Sequence, residues 1–134
     1  MGSVRRHVHI DAGADAVWAF AGDPGRLAEW FPVAESPMTG PATRTVTLAT
    51  GISFHEEIVT HDHDQRRFQY RIVGNPLITA HLGTLDVIED GPRRCTVVYS
   101  TDMEPDAMAL VVAGAAAAGL ARLKERFERD VLAT

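Results

Sequence analysis

One cysteine, Cys95, among 134 residues leaves no partner for an internal disulfide and no second thiol for a structural zinc site. A reducing cytoplasm is the default compartment. Basic residues are also short: 13 Lys plus Arg against 18 Asp plus Glu give a net charge of −5, a field that repels phosphate backbones and anionic lipid headgroups. Nucleic acid is therefore not an expected partner. The glycine patterns that cradle phosphates, GxGxxG and the P-loop, are missing, so nucleotide binding is not expected either. The stretch Met1 to Ile10, with Arg5, Arg6, His7 and His9 among isolated apolar residues, has no apolar core of an export signal. The most apolar run, Ala107 to Ala121, has 15 residues, fewer than the roughly 20 that cross a bilayer; it reads as a buried helix and not a membrane span.

What is present is ordinary for a globular chain: 46% hydrophobic and 23% charged residues, enough to build one core and, at this length, one domain over 1–134. Val4, Arg6, Val8 and Ile10 alternate with Arg5, His7 and His9, the period of a strand. Asp11 to Asp15 supplies helix-start residues for a short helix over Ala14 to Ala21. Asp23 caps, and Pro24 opens, a second short helix ending near Trp30. From Ala42 to Pro105 the chain reads as strands: Arg44-Val46-Leu48, then Ile52-Phe54-Glu56-Ile58 after a hairpin with Gly51 in the left-handed position, then Phe68-Tyr70-Ile72, then Leu77 to Glu89, then Thr96 to Met103. Asp106 starts a long last helix to about Leu132, with Leu120, Leu123, Phe127 and Val131 at helical spacing. Strands segregated from helices imply an α+β fold, an antiparallel sheet wrapped on the last helix.

That order, with Ala-Asp-Ala-Val-Trp at 14 to 18, Asp23-Pro24-Gly25-Arg26-Leu27, Trp30-Phe31-Pro32, Arg44-Thr45-Val46-Thr47-Leu48, Gly51 with Glu56, Tyr70-Arg71-Ile72-Val73, Gly83-Thr84-Leu85 and Thr96-Val97-Val98-Tyr99, resembles the START-like helix-grip superfamily (SRPBCC), within it the polyketide cyclase/dehydratase branch. The resemblance implies a curved sheet of six or seven strands gripping the terminal helix, two short helices after the first strand, and an internal cavity. Family members include carriers of lipids and hormones, cyclases and other enzymes, so the resemblance implies a class and not one activity.

In such a grip, charged side chains on the apolar face of a strand are the informative exceptions. Arg44 shares its face with Val46 and Leu48, and Glu56 with Phe54 and Ile58. If the Gly51 hairpin pairs Leu48 with Ile52, Arg44 meets Glu56 directly across the strands. Carried through the next hairpin with Ile58 opposite Phe68, the same register places Tyr70 beside Glu56. His81 is expected on the same face, with Tyr99 a further candidate from the final strand. A charge pair among aliphatic side chains often loses more hydration than its attraction returns, so its presence needs a reason. One is a contact to a ligand's polar group or a proton transfer; the other is a satisfied pair that fixes strand register. The pair also resembles the arginine and glutamate that move protons in the plant lachrymatory factor synthases of the same branch.

Trp30-Phe31-Pro32 is a candidate lid over the cavity, and Trp18 a core residue. His61-Asp62-His63-Asp64 has metal-ligand residue types, but it falls in an expected turn and reads as polar turn residues; no metal and no cofactor is expected. The leading expectation is a protein that holds a small hydrophobic or aromatic, polyketide- or lipid-like molecule against Tyr70, His81, Tyr99, Phe54, Trp30 and Phe31. The alternative is a cofactor-independent cyclase, dehydratase or isomerase with Glu56 as acid or base and Arg44 steadying negative charge. A third reading makes the last helix a partner surface, and a cavity under about 300 Å³ would favour it.

Overall fold

A computed structural model describes the backbone of residues 1–133 and the side chains of residues 1–129; the side chain of Val131 lies outside them. The elements are β1 (Gly2–Ile10), α1 (Ala14–Ala21), a 3₁₀ helix (Pro24–Glu29), β2 (Met38–Gly40), β3 (Thr43–Thr47), β4 (Ser53–Asp62), β5 (Arg67–Val73), β6 (Ala80–Gly91), β7 (Arg94–Glu104) and α2 (Asp106–Ala133). The strands form one antiparallel sheet in the order β1-β7-β6-β5-β4-β3-β2. From β2 to β7 each strand folds back on its predecessor, and β1 closes against β7. The curved sheet grips α2, the α+β arrangement expected from the segregation of strands and helices.

The inner face of α2 carries Ala109, Ala113, Ala116, Leu120 and Leu123, all buried and spaced four and three residues apart, as a helix lying on a sheet requires. Small residues at the N-terminal end keep that half of the helix thin. Larger ones at the other end, with Ile10, Val17, Trp18, Leu85, Val87 and Val97, make the solid core. Residues 106–129 are apolar enough for a membrane crossing by length and composition, yet about a third of the 18-residue window that meets this test is buried within the fold. The helix is buried on its inner face only, whereas the sequence pointed to burial of the whole apolar run; Leu110 and Val111 are exposed.

Four local features depart from expectation. α1 has no side-chain cap: Gly13 occupies the cap position, and Asp15 sits in the first turn, paired with Arg66 at 2.8 Å. β2, three residues between Pro37 and Pro41, is too short to show alternation. β6 begins at Ala80 and not Leu77, because Asn75 Oδ1 accepts from the Leu77 amide at 2.9 Å and its carbonyl from that of Ile78 at 3.2 Å, a turn that holds this segment off the ladder. In the β4–β5 hairpin Ile58 pairs with Tyr70, not Phe68, and a bulge between Ile58 and Thr60 brings His61 opposite Phe68. The turn lies further along than its polar residues indicated: β4 continues through Asp62, whose carboxylate accepts from the amides of Asp64 and Gln65, and Arg66 takes φ +54°. The displacement at Ile58 is two residues, an even number, so Tyr70 keeps its inward face, but Ile72 and not Tyr70 stands opposite Glu56.

His61 and His63 are therefore not free turn residues. His61 Nε2–H donates to the Gly22 carbonyl at 2.8 Å, and His63 Nδ1 accepts from the Trp18 indole at 3.0 Å. They tie the hairpin to the end of α1.

Gly83 is a glycine that the packing demands. A Cβ there would lie 2.5 Å from Cε1 and Cζ of Tyr70, so the ring of Tyr70 rests on bare backbone of β6. The Gly83→Ala variant should lose about 1–3 kcal/mol in urea unfolding, as overpacked buried sites do. A second change, Tyr70→Leu, should recover part of that loss; an unchanged midpoint for Gly83→Ala alone would mean the ring is not held there.

Candidate functional site

The β3–β4 hairpin closes as its sequence dictates. Gly51 has φ +91°, the Leu48 amide donates to the Ile52 carbonyl at 2.8 Å, and the resulting register sets Val46 opposite Phe54 and Arg44 opposite Glu56. Both charged side chains point inward, 1% and 6% exposed. Arg44 Nε and a terminal nitrogen donate to the same carboxylate oxygen, Oε1, at 2.9 and 2.7 Å. The other terminal nitrogen donates to the Pro24 carbonyl at 2.9 Å. The guanidinium carbon lies 5.2 Å from the ring centre of Phe68 and 4.9 Å from that of Tyr70, a cation–π distance. Each nitrogen of Arg44 thus has a protein acceptor, while Glu56 Oε2 accepts no hydrogen bond among the described residues. Burial pushes the Glu56 carboxyl above its ordinary range, against the opposing pull of Arg44.

Glu56 faces an apolar cavity of about 160 Å³ between the N-terminal half of α2 and the sheet. Phe31, Phe54, Tyr70, His81 and Tyr99 line it as well, so six of the eight residues singled out from the sequence meet at one place. The other two do not reach it. Arg44 lies behind Glu56, where its bonds and its rings enclose it. Trp30 is 1% exposed, packed edge-on against Phe31 at 5.7 Å. It belongs to the core, not to a lid, because Gly119 on α2 lets the Trp30–Phe31 pair approach the helix: a Cβ there would lie 2.9 Å from Phe31 Cδ2. The wall also includes Leu27, Ile78, Met103, Met108 and Val112. Met103 shares the inward face of β7 with Tyr99; the inward positions of the others follow from tertiary packing.

The polar groups on this wall have fixed roles. The Tyr70 and Tyr99 hydroxyls bond to each other, so one of their two protons is spent between them. Burial raises both phenols, Tyr99 to about 12 and Tyr70 well above the ordinary value, reinforced by Tyr99 and Glu56. His81 Nδ1 accepts from the Ile72 amide at 3.1 Å. An amide only donates, so the neutral ring carries its proton on Nε2. Burial lowers the His81 pKa to about 4, against a weaker opposing pull from Asp102. The volume is below the ~300 Å³ at which pockets for drug-sized ligands begin and near the ~150 Å³ of a dry apolar cavity known to take up benzene.

Residues 1–128 match the family described as polyketide cyclase / dehydrase and lipid transport. The chain belongs to that family. A search of curated proteins finds no match. Among solved structures, XoxI from Bacillus cereus superposes with a TM-score of 0.88 at 24% identity, covering 95% of this chain and 96% of that one. A START superfamily protein from Mycobacterium smegmatis gives 0.77 at 17% identity, with 96% and 99% covered. The di-domain ARO/CYC protein BexL of the BE-7585A biosynthetic pathway gives 0.78 at 17% identity, over 96% of this chain and 47% of that one. These likenesses establish the START-like helix-grip fold, which, with the family, is one that binds hydrophobic molecules.

Two outcomes follow from this geometry. Arg44→Met leaves a buried carboxylate unpaired and should cost about 3–5 kcal/mol in urea unfolding; adding Glu56→Leu should return most of it, since an apolar pair of similar volume is often neutral or better. Equal stability of the Arg44→Met protein and its parent would mean the pair is not buried in solution. The second concerns pH. The His81 pKa in the folded protein, about 4, is below the ~6.5 of the unfolded chain, so the unfolded chain takes up the proton first and stability is lost as pH falls from 6.5 toward 4. Between pH 7 and 5 the protein should lose about 2 kcal/mol more than the His81→Asn variant. Glu56, whose pKa is raised, works in the opposite direction but is common to both proteins. Parallel pH profiles would refute the buried, neutral His81.

Proposed function

We propose that this is a cytoplasmic protein that binds a small, mainly apolar molecule with a polar tip in the cavity beneath α2, the tip meeting Glu56, Tyr70, His81 and Tyr99. The observation that carries this reading is Glu56 Oε2: a carboxylate oxygen on the wall of an apolar cavity, its twin held by Arg44, and without a partner of its own. A pair that only fixed strand register would be satisfied by sharing both oxygens. The volume narrows the polyketide- or lipid-like class to its smallest members, molecules of about one ring. A small cavity was also the mark of a surface role for α2; the convergence of four polar groups on an otherwise apolar wall weighs more heavily, because that is the make-up of a ligand site.

The second reading is a cofactor-independent cyclase, dehydratase or isomerase. It is favoured by the upward shift of Glu56, which brings a general acid or base closer to neutral pH. Glu56 would then give or take the proton through Oε2. Arg44 would be a positioning residue, holding Oε1 and through it the orientation of the carboxyl, and the tyrosine hydroxyls would steady a developing oxyanion. BexL, a cyclase by its name, shares the fold and supports this reading only to that extent.

Organic extraction of the purified protein, followed by mass spectrometry, should recover one small apolar compound at close to one per chain. The Ala115→Phe variant, whose new ring fills the cavity, should yield none; equal recovery from both would place the compound elsewhere. Glu56→Gln should keep the compound bound. If the protein also converts it, the rate should fall at least ~100-fold, within the range for a lost general acid or base, and an unchanged rate would dismiss Glu56 from that role.

A further inference from the structure

Resting on the reading that this cavity is the ligand site, we infer that the site selects by charge: it takes an uncharged, hydroxyl-bearing ring, such as a simple phenol or cyclic enol, and rejects the carboxylate and ammonium analogues of the same shape. The hydrogen-bonding groups on the wall account for this. A carboxylate ligand needs a cation, and the cation nearest the cavity, Arg44, has its guanidinium committed to Glu56 Oε1 and the Pro24 carbonyl with Phe68 and Tyr70 alongside. A second carboxylate would instead confront Glu56 Oε2 in an apolar space, a like-charge contact that drives one of the two to neutrality.

An ammonium ligand meets a different obstacle. Glu56 is already half-compensated by Arg44, so it returns less attraction than a free carboxylate, while the cation loses its hydration on entry. A hydroxyl fits what remains. Its proton can be given to Glu56 Oε2, and its oxygen can accept from His81 Nε2–H, which has no protein partner among the described residues, or from the tyrosine pair, where one of the two hydroxyl protons is unspent. The wall thus offers one acceptor and two donors, the complement of a hydroxyl group. The upward shift of the Glu56 carboxyl and the downward shift of His81 agree with this picture, since both reflect an interior that disfavours charge.

The test uses four probes of one shape: p-cresol, toluene, 4-methylbenzoate and 4-methylbenzylamine, titrated into methyl-labelled full-length protein at pH 7. The readout is the NMR signals of Ile78 and Met103 on the cavity wall and Ile88 outside it. Expected is p-cresol binding that shifts Ile78 and Met103 but not Ile88, at least tenfold tighter than either charged probe and tighter than toluene. In Glu56→Gln, where Arg44 keeps a carbonyl oxygen as partner but the negative charge is gone, 4-methylbenzoate should gain at least tenfold relative to p-cresol. Binding of 4-methylbenzoate or 4-methylbenzylamine within threefold of p-cresol, with the same methyls shifted, would overturn the charge selection and leave the ligand-binding reading intact. Toluene as tight as p-cresol would overturn the hydroxyl preference. No shift at Ile78 or Met103 with any probe would overturn the ligand site itself and this inference with it. The Tyr70→Phe variant, which keeps the ring on Gly83, provides a second chain in which p-cresol should weaken while toluene is unaffected, should Glu56→Gln fail to fold.

Discussion

The Arg44–Glu56 pair is the constraint around which the candidate site is organised. Two charges removed from water cannot be left partly satisfied, and the fold supplies partners for each nitrogen of Arg44 from three elements. Glu56 comes from the neighbouring strand β4, Pro24 from the start of the 3₁₀ helix, and the rings of Phe68 and Tyr70 from β5. The guanidinium therefore reports whether β3, β4, β5 and the segment after α1 are all in register. The same saturation makes Arg44 unavailable to a ligand and leaves Glu56 as the face of the pair that looks into the cavity. A pair this enclosed does two jobs at once: it fixes the strands, and it presents one oxygen of known orientation to the cavity.

The cavity itself arises from residues that have little or no side chain. Gly83 in β6 leaves a gap that the ring of Tyr70 crosses to reach Tyr99 on β7. At the other wall, Ala115 lines the cavity beside Met108 and Val112, and Ala109, Ala113 and Ala116 keep this half of α2 thin where it meets the core. Where the helix turns bulkier, at Leu120 and Leu123, the space ends in solid core. Gly119 marks the boundary, because it admits Phe31 and, behind it, Trp30. The extent of the cavity along α2 therefore ends where alanine gives way to leucine.

Much of this was legible in the chain. Alternation showed which side chains of β3 and β4 point inward, and Gly51 fixed the hairpin tightly enough to predict that Arg44 faces Glu56. The next hairpin was less legible because a bulge leaves no mark in a period-two pattern, and the Asp62 carboxylate moved the turn by capturing amides of residues that look equally turn-like. Tyr70 nonetheless stayed on the correct face, since an even displacement preserves alternation. Trp30 shows a different limit. An exposed-looking aromatic cluster beside a proline resembles a lid until the glycine facing it, 89 positions on, draws it into the core. Ile78, in the turn before β6, reaches the cavity through tertiary packing alone, and no spacing in the sequence could single it out, whereas Met103 shares the inward face of β7 with Tyr99.

Should a bound molecule be converted, as the second reading proposes, the protonation states on the cavity wall favour Glu56 over its neighbours as the residue involved. His81, at about 4, is neutral throughout the physiological range, and its Nδ1 is occupied by a backbone amide. Tyr99, at about 12, and Tyr70, also raised well above its ordinary value, hold their protons and bond to each other. Each of these groups can donate a hydrogen bond near neutral pH, but none can take up a proton and return it at low cost. Glu56 differs: burial raises its pKa while Arg44 restrains the rise, so its charged and neutral forms are closer in free energy at neutral pH than those of an ordinary surface carboxylate. A ligand that only needs to be held uses all four groups alike. One that is to be converted must exchange its proton with Glu56, and the distinction between carrier and catalyst therefore rests on whether the bound molecule presents an acidic proton to Oε2.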